Sequence, residues 1–85
     1  MGRKRLSGAF GKVLRRHRIA SGLTQEKLAE AASLHHTYVS LIERGIANVS
    51  LDAAQRLAVA LDTPASTLVR EAEAESPFTA SGKRR

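Results

Sequence analysis

Residues 25–44 read QEKLAEAASLHHTYVSLIER, and their apolar pattern decides the fold. Before Ser33, apolar residues recur at helical spacing at Leu28, Ala29 and Ala32. After Ser33, the same period continues through Leu34, Tyr38, Val39 and Ile42. Gly45 follows, at a place where a helix end accepts a left-handed backbone conformation. Two short amphipathic helices joined this tightly predict a helix-turn-helix, a motif whose second helix enters the major groove of DNA.

Helix-capping residues place the starts of the first two predicted helices. The first helix is predicted over residues 7–20, with Ser7 as its N-cap. The second is predicted over residues 25–32, with Thr24 as its N-cap. The third, over residues 35–44, would be the helix that reads DNA.

Two further helices complete the predicted domain. The fourth follows its N-cap Ser50 and closes the core through Leu51, Ala54, Leu57, Ala58 and Leu61. The fifth begins at Pro64, a residue that the first turn of a helix accepts. We therefore expect an all-α, compact five-helix domain over residues 7–75. Residues 1–6 should form a basic N-terminal arm, and residues 76–85 a disordered basic tail.

Length and composition limit the classes of protein to which this chain can belong. Its 85 residues are enough for one domain with a single modest core. The chain has no cysteine, so disulfides and thiolate metal sites are excluded. No apolar stretch approaches the roughly 20 residues that span a membrane, and there is no signal-peptide pattern. These features predict a cytoplasmic protein.

The formal net charge of +6 is unevenly distributed along the chain. Seven basic residues and no acidic residue precede Glu26: Arg3, Lys4, Arg5, Lys12, Arg15, Arg16 and Arg18. The electric field of such a one-sided positive charge raises the local concentration of a polyanion and speeds its encounter with the protein. A basic face that serves only solubility is the alternative, but the helix-turn-helix pattern favours nucleic acid.

Three strings carry a family resemblance: TQEKLAEAA at 24–32, LHHTYVSLIERG at 34–45 and NVSLDAAQRLAVALD at 48–62. They resemble the DNA-binding domain of phage lambda repressor and Cro and their small bacterial relatives, the XRE family. Within that family, TYVS followed by IERG is similar to the controller proteins of restriction–modification systems. The resemblance covers about residues 10–68. It implies a lambda-repressor-like fold, a dimer, and a turn at Ser33, where the family usually has glycine.

The resemblance also implies structural roles outside the reading helix. An arginine at the place of Arg18 pairs with the glutamate at the place of Glu43, and we interpret the two as a structural ion pair. Gln25 is expected to contact the DNA backbone and neighbouring side chains, although it could be a plain first-turn residue. The basic arm would wrap the duplex, or would be no more than a tail.

The outer face of the predicted third helix supplies the residues expected to contact DNA. This face carries His35, His36, Thr37, Ser40 and Leu41. His36 and Thr37 lie in the first turn, from which side chains reach base edges. A neutral imidazole can donate to guanine N7 or O6. An exposed leucine at position 41 would pack on a thymine methyl group or would be an ordinary exposed apolar residue.

Five more residues complete the predicted sites. Tyr38 should be half buried, with its hydroxyl free to reach a phosphate. Arg44 and Asn48 match positions that contact the DNA backbone in the family. Leu68 and Val69 are predicted to form the dimer contact, or alternatively to act as a lid on the core.

The pattern predicts a sequence-specific DNA-binding transcription regulator. The resemblance implies a dimer on a palindromic operator in double-stranded DNA and, within the family, a controller of a restriction–modification operon. The alternative is an antitoxin-like or adaptor protein, which would use the acidic residues 71–75 to bind a basic partner. We expect no enzymatic activity and no cofactor. We also expect no metal, because consecutive residues such as His35 and His36 diverge by about 100° on a helix.

Overall fold

The computed structural model describes residues 5–76, which form five α-helices without any strand. The helices are α1 (Arg5–Ala20), α2 (Gln25–Ala32), α3 (His36–Glu43), α4 (Leu51–Ala60) and α5 (Ala65–Glu75). The predicted all-α, five-helix fold is therefore confirmed. Residues 1–4 of the predicted arm and 77–85 of the predicted tail lie outside the described residues.

Helix α1 packs against both α3 and α5, while α2 packs against α3 and α4, and α4 packs against α5. The side chains that are fully buried between these helices include Val13, Leu14, Leu28, Val39, Ile42, Leu57 and Leu68. Every helix that contributes to this core does so with one face, as the apolar spacing predicts. No helix among the described residues is long and apolar enough to cross a membrane.

Local signals fix both ends of α2 and the start of α4 where the sequence predicts them. The Thr24 side chain accepts a hydrogen bond from the Lys27 amide (3.0 Å), and the Ser50 hydroxyl accepts one from the Ala53 amide (3.0 Å). Ser33 ends α2 in the left-handed conformation, with φ of 58°. The chain therefore turns between α2 and α3 without the glycine that usually occupies such a position.

The first helix begins earlier than predicted. Its N-terminus is Arg5, so Ser7 lies inside α1 and is not its N-cap. Leu6 stands one turn before Phe10, and both side chains line the same apolar surface next to α4 and α5. The apolar side of α1 therefore extends past the position at which local capping signals place its start, although Leu6 itself is exposed.

The burial of two leucines differs from the prediction. Leu51 was expected in the core but is 86% exposed; it is the first residue of α4 and lies at the edge of the apolar surface that α4 forms with α1 and α5. Leu68 was expected at the dimer contact but is completely buried within the single chain. The lid alternative is therefore correct for Leu68.

Helices α1 and α3 approach each other closely at Gly11. A Cβ atom at this position would lie 2.1 Å from the carbonyl oxygen of Ile42 and 3.0 Å from that of Glu43. Only the absence of a side chain permits this distance. The end of α3 is therefore held directly against the backbone of α1.

Candidate nucleic-acid interface

Helix α3 starts one residue later than predicted, and His35 precedes it. His35 has extended backbone angles (φ −73°, ψ 140°), and its ring Nδ1 accepts a hydrogen bond from the Thr37 amide at 3.1 Å. It therefore caps the helix, and its side chain is exposed. The helix thus begins after His35, and the DNA contact predicted for this residue stays a prediction.

The outer face of α3 is exposed at its first turn and less so further along. The side chains of His36 and Thr37 are exposed, whereas those of Ser40 and Leu41 are half buried. Among the described residues, no side-chain hydrogen bond or ion pair engages His36. The prediction of an exposed leucine at position 41 is wrong. The inner face of α3 is buried at Val39, Ile42 and Glu43.

The predicted ion pair between Arg18 and Glu43 is present. Arg18 donates from Nε to Glu43 Oε2 at 2.6 Å and from Nη2 to Glu43 Oε1 at 3.1 Å. Its Nη1 also donates to the carbonyl of Leu23 at 2.8 Å. The side chains are only 12% and 2% exposed, respectively. Two parallel hydrogen bonds of this kind fix geometry as well as charge, so the pair connects α1 to the inner face of α3.

Gln25 joins the same network. Its Nε2 donates to Glu43 Oε1 at 2.9 Å, so the first residue of α2 is tied to α3. This is the contact with a neighbouring side chain that the family resemblance implies. Glu43 therefore accepts hydrogen bonds from two different helices, and together these contacts hold the three helices of the candidate interface at fixed positions.

The segment after α3 contains two of the predicted backbone-contact residues. The Tyr38 hydroxyl donates to the carbonyl oxygen of Asn48 at 3.1 Å. That bond corrects the prediction of a free hydroxyl and gives Tyr38 the role of holding this segment against α3. The Asn48 side chain is exposed and lies 3.4 Å from the Ser7 hydroxyl. Arg44, the C-cap of α3, is also exposed.

Sequence reasoning missed a contact at the turn of the helix-turn-helix. Arg56 of α4 donates from Nη1 to the carbonyl of Ser33 at 3.2 Å and pairs through Nε with Asp52 at 3.2 Å. The four-residue spacing of Asp52 and Arg56 could have indicated the ion pair. Nothing in the sequence indicated the contact with Ser33, because it joins elements that are distant along the chain.

The acidic residues of α5 contact α1. Arg16 Nη1 lies 2.7 Å from Glu75 Oε2, and His17 Nε2 lies 2.9 Å from Glu71 Oε1. The hydrogen bond from His17 is the main cause that lowers the pKa of Glu71 below its ordinary value of 4.5, and the charge of Arg16 acts in the same direction. Two of the three acidic side chains in this stretch are therefore engaged within the chain.

The structure separates the two residues predicted to form the dimer contact. Leu68 is buried, whereas Val69 is half buried and lines an apolar groove between α1, α4 and α5. This α1–α5 groove has a volume of about 180 Å³, and its lining includes Leu6, Phe10, Val49, Leu51, Val69 and Ala72. Val69 thus remains a candidate for contact with a second copy of the chain.

No metal site is formed by the described residues, in which no group of three or more metal-ligating side chains converges. His35 and His36 lie next to each other along the chain, but they have different surroundings. One ring caps α3 through Nδ1, and the other is exposed on the outer face.

Helix α3 is short, exposed on its outer face and fixed on its inner face by a buried ion pair. A tight turn joins it to α2. This arrangement defines a helix-turn-helix protein. A family model described as "Helix-turn-helix domain" matches residues 9–72. The chain belongs to this helix-turn-helix family.

Relatives within the family are named as regulators. The control protein C.BamHI of Bacillus amyloliquefaciens is 49% identical over 53 residues, which are 61% of this chain and 65% of that protein. This chain thus matches slightly less than two thirds of that relative's length.

Solved structures extend the likeness to the fold. The restriction-modification controller protein C.AhdI from Aeromonas hydrophila is 45% identical, with a TM-score of 0.72 over 73% of this chain and 94% of that one. The clp gene regulator ClgR from Corynebacterium glutamicum is 33% identical, with a TM-score of 0.79 over 82% of this chain and 74% of that one. The chain is homologous to the restriction-modification controller proteins.

Proposed function

We propose that this protein is a cytoplasmic, dimeric transcription regulator that binds a specific operator in double-stranded DNA and controls a restriction–modification operon. The exposed first turn of α3 carries this proposal. His36 and Thr37 present unengaged polar side chains there, while the buried contacts of Glu43 hold the helix from behind. Side chains in this position of a helix-turn-helix reach base edges in the major groove.

The regulated genes are inferred from the relatives. C.AhdI, at 45% identity, is named as a restriction-modification controller protein, and C.BamHI, at 49% identity, is named as a control protein. ClgR, at 33% identity, is named as a regulator of clp genes. The greater identity to the control proteins favours the restriction–modification operon as the target.

A second copy of the chain is the partner that we assign to the α1–α5 groove. Leu51 is 86% exposed at the edge of this groove, so one surface contains both a projecting leucine and an apolar recess. A two-fold axis brings the same patch of both subunits together, and a leucine from each can then enter the recess of the other. Arg70 and Glu73 are exposed on α5, and they provide opposite charges for contact across such an axis.

A two-fold dimer predicts the form of the DNA site. Its two copies of α3 would enter successive major grooves on one face of the duplex, roughly 34 Å apart. The operator should then consist of two inverted half-sites. The level of the protein, and not a bound effector, would determine how many sites are filled.

Selection of bound duplexes from a randomised DNA pool, at near-physiological salt, tests this function. We expect enrichment of a two-fold symmetric motif. Recovery of unselected sequences, with binding that disappears at moderate salt, would mean that only charge attracts the protein to DNA. The proposed function would then be wrong.

Alanine substitution of His36 or Thr37 tests which side chains read the bases. Either change should reduce the preference for the selected motif over random DNA by about 5-fold to 100-fold, the range for loss of one good base contact. Binding titrations on both DNAs measure this preference, with Gln55→Ala on the exposed side of α4 as the control. An equal loss on both DNAs would make these side chains phosphate contacts only.

The contacts of the acidic residues in α5 argue against the adaptor alternative. That alternative would be favoured if residues 71–75 became ordered on a basic partner. Glu71 and Glu75 instead contact His17 and Arg16 of the same chain.

A further inference from the structure

His35 makes several hydrogen bonds at the start of α3. Its ring Nδ1 accepts from the Thr37 amide at 3.1 Å. Its own carbonyl oxygen accepts from the amides of Tyr38 at 3.0 Å and Val39 at 3.2 Å. Because α3 has only eight residues, its first turn is a large part of the helix. Both the backbone and the side chain of His35 therefore define where that turn lies.

The ring can accept this hydrogen bond only in one chemical form. Nδ1 must carry a lone pair, so the imidazole is neutral and its proton is on Nε2. A protonated ring would have no acceptor for the Thr37 amide and would place a positive charge at the positive end of the helix dipole. The helix start thus depends on a side chain other than the serine, threonine, aspartate or asparagine that usually caps a helix.

We propose that His35 is a positioning residue for DNA reading: its ring fixes the first turn of α3 and thereby aims His36 and Thr37, without reading a base itself. This inference rests on the proposed function. It follows from the geometry, because the two exposed reading side chains extend from the residues directly after the cap. Fraying of one turn would displace both of them together.

Serine and alanine at position 35 distinguish positioning from direct base contact. Both side chains are too short to replace an imidazole at a base edge, but serine caps a helix and alanine does not. We expect His35→Ser to keep the wild-type preference for the selected motif over random DNA within about 2-fold. His35→Ala should lose about 5-fold or more of that preference, as expected from loss of an N-cap. Equal losses in both variants would identify a base contact and overturn the proposal, as would wild-type preference in both.

Amide hydrogen exchange in the free protein tests the cap without DNA. The Thr37 amide should exchange about 5-fold faster in His35→Ala and at the wild-type rate in His35→Ser. Exchange in the core of α1 should be equal in all three proteins, which checks that each is folded. An unchanged Thr37 rate in the alanine variant would refute the capping role.

The proposed function and the positioning role of His35 can fail separately. If wild-type protein selects no DNA motif, the proposed function fails, and the positioning role fails with it even when the exchange result holds. If wild-type protein selects a motif but the alanine variant reads it equally well, only the role of His35 is wrong.

Discussion

Glu43 carries a negative charge in the interior of the domain, with a side chain that is only 2% exposed. Its two oxygens are occupied by Arg18 and Gln25, so the carboxylate is neutralised and its hydrogen-bonding capacity is used. Such a pair adds little stability compared with well-packed apolar residues, but removing one partner leaves a charge without compensation. The network therefore fixes the position of α3, and its loss should lower the free energy of unfolding.

Replacing Arg18 with alanine should lower the free energy of unfolding by about 3 kcal/mol or more, because Glu43 would remain buried without its partner. Urea denaturation followed by circular dichroism measures the change. Arg16→Ala is the matched control, since this arginine pairs at the exposed surface and its loss should lower the free energy of unfolding much less. Equal stability of the Arg18 variant and wild type would show that the carboxylate does not depend on the guanidinium.

Some single residues could be predicted from the sequence and others could not. The pairing of Arg18 with Glu43 was predictable because the resemblance assigns both positions. The cap formed by His35 was not, because residue preferences at helix starts favour short oxygen-bearing side chains. The bond from the Tyr38 hydroxyl to the Asn48 carbonyl depends on how the segment after α3 folds back, which no local pattern specifies.

The helices themselves follow local rules where their ends are capped and tertiary contacts where they are not. Thr24, Ser33 and Ser50 act within a few residues along the chain, so the limits of α2 and the start of α4 were predictable. The start of α1 and the exposure of Leu51 depend on where neighbouring helices end. The spacing of apolar residues specifies which face of a helix is buried, but it does not specify how far the neighbouring helix extends along that face.

The close approach of α1 and α3 can be tested with two glycines of α1 that lie one turn apart, Gly8 and Gly11. Gly11→Ala should destabilise the protein by about 3 kcal/mol or more, because the new methyl group would meet the Ile42 carbonyl. Gly8→Ala should instead stabilise it by about 0.5–1 kcal/mol, since nothing lies within 4 Å of the added Cβ and alanine favours the helix. Thermal melts of the two variants measure both effects. Similar melting temperatures would contradict the close approach.

The contact between α1 and α5 predicts a dependence of stability on pH. Because the folded-state pKa of Glu71 is lowered, the contact stabilises the fold above pH 4.5 and is lost as the pH falls below that value. Glu71→Gln should therefore reduce the fall in unfolding free energy on acidification below pH 4.5. Denaturant titrations at several pH values measure it. Glu73→Gln on the same helix should keep the wild-type slope, and an identical slope in both variants would disprove the role of Glu71.

The molecule combines a positive net charge with an apolar groove at its surface. Two copies that each carry a formal net charge of +6 repel each other, so a stable dimer requires an apolar contact. The α1–α5 groove and the adjacent Leu51 provide the contact that we propose. The same charge attracts DNA, and a dimer presents two copies of α3 to it.

Leu51→Asp tests the dimer surface. The variant should fold, because the side chain is 86% exposed in the single chain, but it should be monomeric by analytical ultracentrifugation. Its affinity for a two-fold operator should fall by about 100-fold or more, because one half-site alone must then hold the protein. Val59→Asp, also exposed on α4, should remain dimeric. Dissociation of the Val59 variant alone would place the dimer contact at the other end of α4.

The division of α3 into a buried inner face and an exposed outer face has an evolutionary consequence. Val39, Ile42 and Glu43 hold the helix in the domain, whereas the side chains of His36 and Thr37 are exposed. Mutations of the outer pair can accumulate without loss of the native state. A lineage with this architecture can therefore exchange one operator for another in a few substitutions, and a library randomised at these two codons would yield folded proteins with new preferences.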